Sequence, residues 1–172
     1  MLFSHHENSH NKVLVVDDEP TSLMIMAESL SDLGEIVCCD NGAQAIEKAT
    51  FFQPDVILLD IEMPGMNGFE VCKKLKNNPK TAQSHVIFVT SHNEQIFEYQ
   101  SFASGGIDLI HKPVDLNICR LRVQNQLKLK HQEAQILAAK NDISTLVAQV
   151  PVYISYWSNT EENLFSNDET SH

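Results

Sequence analysis

The chain contains five short apolar segments, and stretches with helical periodicity separate them. The segments are Lys12–Asp17, Glu35–Asp40, Asp55–Asp60, His85–Thr90 and Ile107–His111. Near-continuous apolar runs of this length are typical of strands buried on both faces of a parallel sheet. Their alternation with helices predicts an α/β fold: a doubly wound, five-stranded parallel sheet with helices on both faces.

The predicted helices begin and end at Pro and Gly residues. Pro20 suits the first turn of a helix, and Gly34 is expected to end that helix. Pro and Gly crowd the segment Met63–Gly68, which is therefore predicted to be a loop. A fourth helix is expected around Ile96–Ala103, before the last strand.

Polar residues stand where the predicted strands end. They are Asp17, Asp18, Asp60, Thr90 and Lys112. Ligands of open α/β sheets bind beyond the carboxyl ends of the strands. Because parallel strands share that edge, we expect these five side chains to converge on one site.

The residue types at these ends fit phosphoryl transfer. Three crowded carboxylates repel one another, and a hard divalent cation, Mg²⁺ or Mn²⁺, relieves this repulsion. Asp60 would be the nucleophile. Lys112 would offer a positive charge and Thr90 a hydroxyl donor to phosphoryl oxygens. Any one of these residues alone is a weak signal, but the ordered set is strong.

The same residues resemble a known family, the receiver domain of bacterial two-component response regulators. The resemblance covers about Lys12 to Arg120. It rests on Asp17-Asp18, on Asp60 followed by Met63-Pro64-Gly65-Met66-Asn67-Gly68, on Thr90-Ser91 and on Lys112-Pro113. It implies a flavodoxin-like fold, and a sensor histidine kinase or phosphotransfer protein as the phosphoryl donor.

The resemblance also implies a role for each site residue. Asp60 becomes the phosphoacceptor. Asp18 and Asp60 become direct metal ligands with the backbone carbonyl of Glu62, and Asp17 acts through water. Lys112-Pro113 would carry a cis peptide bond. The receiver would catalyse its own phosphoryl transfer and dephosphorylation, with no separate enzymatic domain in this chain.

One position departs from the family pattern. Receivers usually carry Tyr or Phe three residues before the Lys, as a switch coupled to the Thr, whereas this chain has Leu109. Thr90, Lys112 and the C-terminal helix are then expected to transmit the signal. Glu62 and His92 occupy variable positions near the site, where they either tune the phosphoryl lifetime or are plain exposed loop residues.

A long helix is predicted from Asp115, since neither Pro nor Gly occurs between Pro113 and Pro151. Heptad spacing relates Leu129, Ile136, Ile143 and Val150, and Ala139 and Leu146 lie on the companion seam. We expect a coiled-coil linker that forms a homodimer. A helix that folds back on the receiver or frays in solution is the alternative.

The residues after Pro151 change character again. Val152–Trp157 has high strand propensity. Pro151–Trp157 and Asn163–Asn167 together resemble the start of a PAS sensor domain, which often follows receivers in diguanylate cyclases and hybrid sensor proteins. A disordered polar tail is the alternative. The predicted organisation is a disordered leader at 1–11, a receiver at 12–122, a helical linker at 123–150 and the start of a second domain at 151–172.

The charge and cysteine content narrow the function classes. The 12 Lys+Arg and 23 Asp+Glu residues give a formal net charge of -11, which argues against nonspecific nucleic-acid binding. None of the four cysteines forms a C-x-x-C pair, so reduced thiols are expected. No apolar run approaches the ~20 residues of a membrane span. A cytoplasmic location without membrane contact follows as an expectation.

Two other functions fit parts of the sequence. A binding or dimerisation adaptor that is insensitive to phosphorylation would use the same fold, and Leu109 favours it. A metal-dependent hydrolase of the related phosphatase class would need an Asp-x-Asp nucleophile motif. Asp60-Ile61-Glu62 stands at that place, which argues against the hydrolase.

Overall fold

The computed structural model describes residues 11–92, 95–148, 155–157 and 163–166, the last ten of these by backbone alone. The chain forms two compact units, divided between Lys130 and His131. Residues 1–10 of the predicted leader and most of the predicted PAS-like segment lie outside the described residues.

Strands and helices alternate along the first unit, which ends within the last and longest helix. The elements are β1 Lys12–Val16, α1 Pro20–Leu30, β2 Glu35–Cys39, α2 Gly42–Phe52, β3 Val56–Asp60, α3 Gly68–Lys76, β4 His85–Thr90, α4 Gln95–Ala103, β5 Asp108–His111 and α5 Leu116–Ala148.

The five strands form one parallel sheet with the order β2-β1-β3-β4-β5. The predicted α/β fold with a long C-terminal helix is therefore confirmed. From β1 the chain adds β2 on one side of the sheet and then adds β3, β4 and β5 on the other side. The crevice between β1 and β3, where the chain changes sides, is where ligands of such sheets bind. The register pairs Val16 with Leu59 and Asp60 with Val89, so β1, β3 and β4 end side by side.

Alternate strand residues serve two hydrophobic cores, one on each face of the sheet. Leu14 and Leu59 belong to the core that α2 and α3 cover. Val15 and Leu58 belong to the core that α1 and α5 cover. Each fully buried Val, Leu or Ile contributes about 1.5–3 kcal/mol relative to its exposed state. Burial on both faces explains why the central positions of β1, β3 and β4 are continuously apolar.

The end of α1 differs from the prediction. The helix ends at Leu30, with Ser31 as its C-cap, and not at Gly34. Leu33 lies outside the helix but remains buried in the core. Gly34 is needed for a different reason, since a Cβ at this position would lie 2.6 Å from the Cβ of Asn11 and would overlap its carbonyl oxygen.

In α5, three residues of the first unit, Cys119, Val123 and Leu127, pack into the core of α1 and the sheet. In the second unit, residues 131–145 of the helix are exposed throughout. The remaining described elements are the antiparallel strands β6 Ser155–Trp157 and β7 Asn163–Ser166. The PAS-like start stays a prediction. No described helix combines the length and the apolar character that a membrane crossing needs.

All four cysteines are free thiols, as expected. Cys39, Cys72 and Cys119 are buried, and Cys38 is partly buried. Burial raises the pKa of the Cys39 and Cys119 thiols to about 11. Both thiols therefore stay protonated at neutral pH and behave as small apolar core residues.

Candidate functional site

The five residues predicted at the strand ends lie at the same edge of the sheet. Asp17 and Asp18 follow β1, and Asp60 is the last residue of β3. Thr90 is the last residue of β4, and Lys112 follows β5. This placement results from the parallel register, because every strand of the sheet points its carboxyl end to this edge.

Asp60 is the centre of the site and is 1% exposed. Its Oδ1 accepts a hydrogen bond from the main-chain N–H of Glu62 at 3.1 Å, and its Oδ2 accepts one from Nζ of Lys112 at 2.7 Å. Burial raises the pKa of the Asp60 carboxyl above its ordinary value, although the bonds from Lys112 and Glu62 oppose the shift. The two hydrogen bonds fix the orientation of the carboxylate.

The loop after Asp60 folds back tightly onto the end of β3. The N–H of Gly68 donates to the carbonyl of Ile61 at 3.0 Å. Asn67 caps α3 in a capping box with Glu70, which satisfies main-chain donors at both positions. A Cβ on Gly68 would lie 2.9 Å from the Cα of Ile61 and would overlap the carbonyl oxygen of Asp60. A side chain at this position is incompatible with the loop geometry.

Lys112 extends its ammonium group into the acidic pocket. Its Nζ lies 2.7 Å from Oδ2 of Asp60 and 3.0 Å from Oδ2 of Asp17. Burial disfavours the charged ammonium, but Asp60 and Asp17 outweigh this effect and raise the pKa of Lys112. The main-chain N–H of Lys112 donates to the carbonyl of Thr90 at 2.7 Å. The Lys112–Pro113 peptide bond is cis, as the resemblance implies.

The carboxylates of Asp17, Asp18 and Asp60 each offer an oxygen atom, and the three atoms lie within 4.8 Å of one another. Asp17 is fully buried, whereas Asp18 is exposed. Oδ2 of Asp17 is near the Lys112 ammonium but, among the described residues, has no partner in hydrogen-bond geometry. An all-oxygen donor set with one unsatisfied buried oxygen fits a small hard divalent cation.

Thr90 is fully buried, and its hydroxyl faces the loop after β4. Oγ1 accepts a hydrogen bond from the main-chain N–H of His92 at 3.0 Å. The hydroxyl hydrogen remains available as a donor, because this bond uses only an acceptor lone pair. The Thr90 hydroxyl therefore keeps a hydrogen that it can donate.

Glu62 and His92 face each other at the rim of the site. Nε2 of His92 lies 2.9 Å from Oε1 of Glu62. The His92 ring stacks on Phe97, with 3.9 Å between centroids and 5° between planes. The sequence placed both residues near the site but gave no sign of this pair, because the contact depends on two side-chain rotamers. The role of the Glu62 carbonyl as a metal ligand stays a prediction.

Two residues of β5 differ in their contacts. Leu109 is 8% exposed and packs in the core beneath α2 and α3, so it has no polar contact with Thr90. His111 lies two residues further along the strand, and its Nδ1 is 3.0 Å from the carbonyl oxygen of His92. His111 is not among the site residues that the sequence predicts. The alternation of side chains along β5, which places it beyond Leu109 on the same face, could have indicated it.

Known proteins share this fold and sequence pattern. Residues 13–124 match the response regulator receiver domain family. A probable cyclic di-GMP phosphodiesterase of Vibrio cholerae is 34% identical over 139 residues, 81% of this chain and 31% of that protein. The response regulator PleD of Caulobacter vibrioides is 35% identical over 120 residues, 69% of this chain and 26% of PleD.

A solved structure supports the same assignment. The chemotaxis protein CheY4 of Vibrio cholerae superposes with a TM-score of 0.64 and 26% identity, over 67% of this chain and 97% of CheY4. The chain spans less than a third of the length of the two relatives from the sequence comparison. Its similarity to them is therefore a similarity of one part of each relative.

Proposed function

Because this chain belongs to the response regulator receiver domain family, we propose that it accepts a phosphoryl group on Asp60 in a reaction that needs a divalent cation. The observation that carries the proposal is the environment of the Asp60 carboxylate. One of its oxygens is bonded to the Lys112 ammonium, and the carboxylate shares a pocket with Asp17 and Asp18. Positioning and charge neutralisation are what phosphoryl transfer mainly requires.

The transfer itself is a substitution at phosphorus. An oxygen of the Asp60 carboxylate attacks the phosphorus atom of a phosphohistidine on a kinase or phosphotransfer protein. A P–O bond forms while the P–N bond breaks, and the leaving imidazole keeps the electron pair and takes up a proton. The product is an acyl phosphate on Asp60, which water later hydrolyses to aspartate and inorganic phosphate.

Asp17, Asp18 and Asp60 would hold the cation, with Mg²⁺ preferred and Mn²⁺ as the alternative. When bound, the cation supplies positive charge to the carboxylates and to a phosphoryl oxygen. Lys112 would pair with a second phosphoryl oxygen, and the Thr90 hydroxyl would donate to a third. The N–H of Glu62, which bonds to Oδ1 of Asp60, holds the carboxylate in place during the reaction.

Phosphorylation from a small donor tests this function without knowledge of the kinase. We expect the protein to be labelled by acetyl phosphate in the presence of MgCl₂, because the receiver supplies its own catalytic groups. Chelation with EDTA is expected to reduce the label to background, since the three carboxylates then repel the phosphoryl group. Intact-mass spectrometry measures the label, and its loss in hydroxylamine identifies an acyl phosphate.

A hydroxylamine-resistant label would contradict the proposal, because phosphoserine and phosphothreonine survive that treatment. Absence of any label at saturating donor and Mg²⁺ would favour the phosphorylation-insensitive adaptor. The buried, apolar Leu109 is the observation that keeps the adaptor as the second candidate.

In this proposal α5 forms a coiled-coil homodimer with a second copy of the chain. The signal would pass through this helix to a downstream region, and the PAS-like segment is the candidate recipient. Residues of the proposed seam, Leu129, Ile136 and Ile143, recur at heptad spacing and are 46%, 71% and 62% exposed. Large apolar side chains at such spacing gain burial when a second copy of the helix packs against them.

We expect Ile136→Glu to weaken a dimer roughly a hundredfold, because it removes two buried side chains worth about 3 kcal/mol together. Leu137→Glu is the matched control, since Leu137 is 59% exposed and lies off the seam. Sedimentation equilibrium over a concentration series measures the dissociation constant. Equal effects of the two substitutions, or a wild-type protein that stays monomeric, would rule out the proposed seam.

A further inference from the structure

His92 is held by hydrogen bonds on both sides of its backbone. Its N–H donates to Oγ1 of Thr90 at 3.0 Å, and its carbonyl oxygen lies 3.0 Å from Nδ1 of His111. A carbonyl oxygen only accepts hydrogen bonds, so Nδ1 of His111 must carry the proton. One residue of backbone therefore connects the buried Thr90 hydroxyl with the ring of His111.

His111 occupies a position from which a displacement would reach the protein surface. It pairs with Thr90 in the sheet register, on the edge strand β5. Its side chain is 41% exposed, and Nε2 lies 3.9 Å from Oε1 of Glu98 on α4. The ring thus contacts the loop that leaves Thr90 and faces the helix that follows this loop.

We propose that His111 is a positioning residue that transmits the position of Thr90 to β5 and α4. The proposal rests on the function proposed above. A phosphoryl oxygen on Asp60 attracts the Thr90 hydroxyl, and a movement of Oγ1 toward Asp60 lengthens its bond to the N–H of His92. The backbone of His92 then shifts, and the His111 ring follows the carbonyl oxygen to which it donates.

Leu109 cannot perform this task, because its side chain is buried in the core and has no polar atom that could bond to the loop. His111 lies on the same face of β5, and its ring nitrogen reaches the main chain two residues after Thr90. A histidine that merely stabilises the loop would make the same bond. The experiment must therefore separate transmission from stability.

Three variants make this separation. His111→Leu removes the donor, whereas His111→Asn keeps an N–H donor on Cγ, the atom that carries Nδ1 in histidine. His131→Leu is the matched control, since His131 is an exposed histidine in the second unit. Thermal unfolding of each variant establishes that it is folded before the measurement.

The readout is the change in amide chemical shifts when the protein, with Mg²⁺, is phosphorylated by acetyl phosphate. The Glu62 amide reports the site, because it bonds to Asp60. The Glu98 and Tyr99 amides report α4. In wild type and in His131→Leu we expect changes at all three amides. In His111→Leu the Glu62 change should persist, while the α4 changes should be lost, because the bond between the His111 ring and the His92 carbonyl is absent.

His111→Asn is expected to restore the α4 changes. Undiminished α4 changes in His111→Leu would overturn the proposal, and so would a failure of His111→Asn to restore them, which would indicate a packing role. An unchanged Glu62 amide in the wild type is a different failure. It would overturn the phosphorylation of Asp60 itself, and the transmission step with it.

Discussion

The Asp60→Asn protein is expected to take up no label from acetyl phosphate at any Mg²⁺ concentration. An asparagine amide is a poor nucleophile, and it cannot replace the carboxylate that the Glu62 N–H and the Lys112 ammonium orient. The measurement is intact-mass spectrometry under conditions that label the wild type. Asp142→Asn is the matched control, because Asp142 is exposed on α5 and should be dispensable.

The same substitution is expected to raise the unfolding temperature of the metal-free protein at neutral pH. The folded-state pKa of Asp60 is raised, mainly by burial. Because its pKa is raised in the folded state, the Asp60 carboxyl stabilises the folded state while it is protonated. This contribution to the free energy of unfolding is lost as the pH rises through the folded-state pKa. A neutral amide avoids that loss. The stability gain of Asp60→Asn should therefore shrink as the pH falls toward the ordinary pKa of aspartate.

Thermal scans of the wild type and Asp60→Asn in EDTA, over a series of pH values, measure this effect. A destabilised Asp60→Asn protein would contradict burial as the dominant influence on the Asp60 carboxyl. Equal labelling of Asp60→Asn and the wild type would exclude Asp60 as the phosphoacceptor. A misfolded variant would lose the label but would not show a raised unfolding temperature. The two results together therefore exclude misfolding as the explanation.

Gly68→Ala is expected to lower the free energy of unfolding by about 3 kcal/mol, the upper part of the range for overpacked sites. The added methyl group meets main-chain atoms of Asp60 and Ile61, which cannot rotate away as a side chain could. The loop that closes the site must open, and labelling of Asp60 should slow as well. Urea denaturation measures the stability change.

Gly65→Asn is the matched control for Gly68→Ala. Gly65 has a φ of 81° and open space around its Cβ position. Asparagine tolerates this left-handed region better than most residues, so we expect a loss under about 1 kcal/mol. Equal losses at the two positions would show that the close approach to Asp60 is not what requires glycine at 68.

The sequence contained enough information for the sheet and for the residues at its carboxyl edge. Apolar runs such as Asp55–Asp60 and His85–Thr90 define buried strands, and a parallel sheet brings their ends together. The structure moved the strand limits by one residue at most, for example to Val56–Asp60. Periodicity is a property of the chain itself, so it can be read without knowledge of tertiary contacts.

Features that depend on tertiary contacts could not be read from the sequence. The sequence predicts that Gly34 ends a helix, whereas the constraint at this position is the contact with Asn11, 23 positions earlier in the chain. The Glu62–His92 pair and the His111 bond depend on rotamers and on the path of the β4–α4 loop. No periodic signal encodes such contacts, and the side chains involved are common on exposed loops.

The ammonium of Lys112 gives the resting protein a counterion of its own. It touches Asp60 and Asp17 inside the pocket, where two buried carboxylates would otherwise repel each other. We therefore expect the chain to fold without Mg²⁺, and in the proposed reaction the cation would bind reversibly for each round of phosphorylation. Removal of Mg²⁺ would then stop the phosphorylation of Asp60 without unfolding the protein, and phosphorylation would resume when the ion is restored.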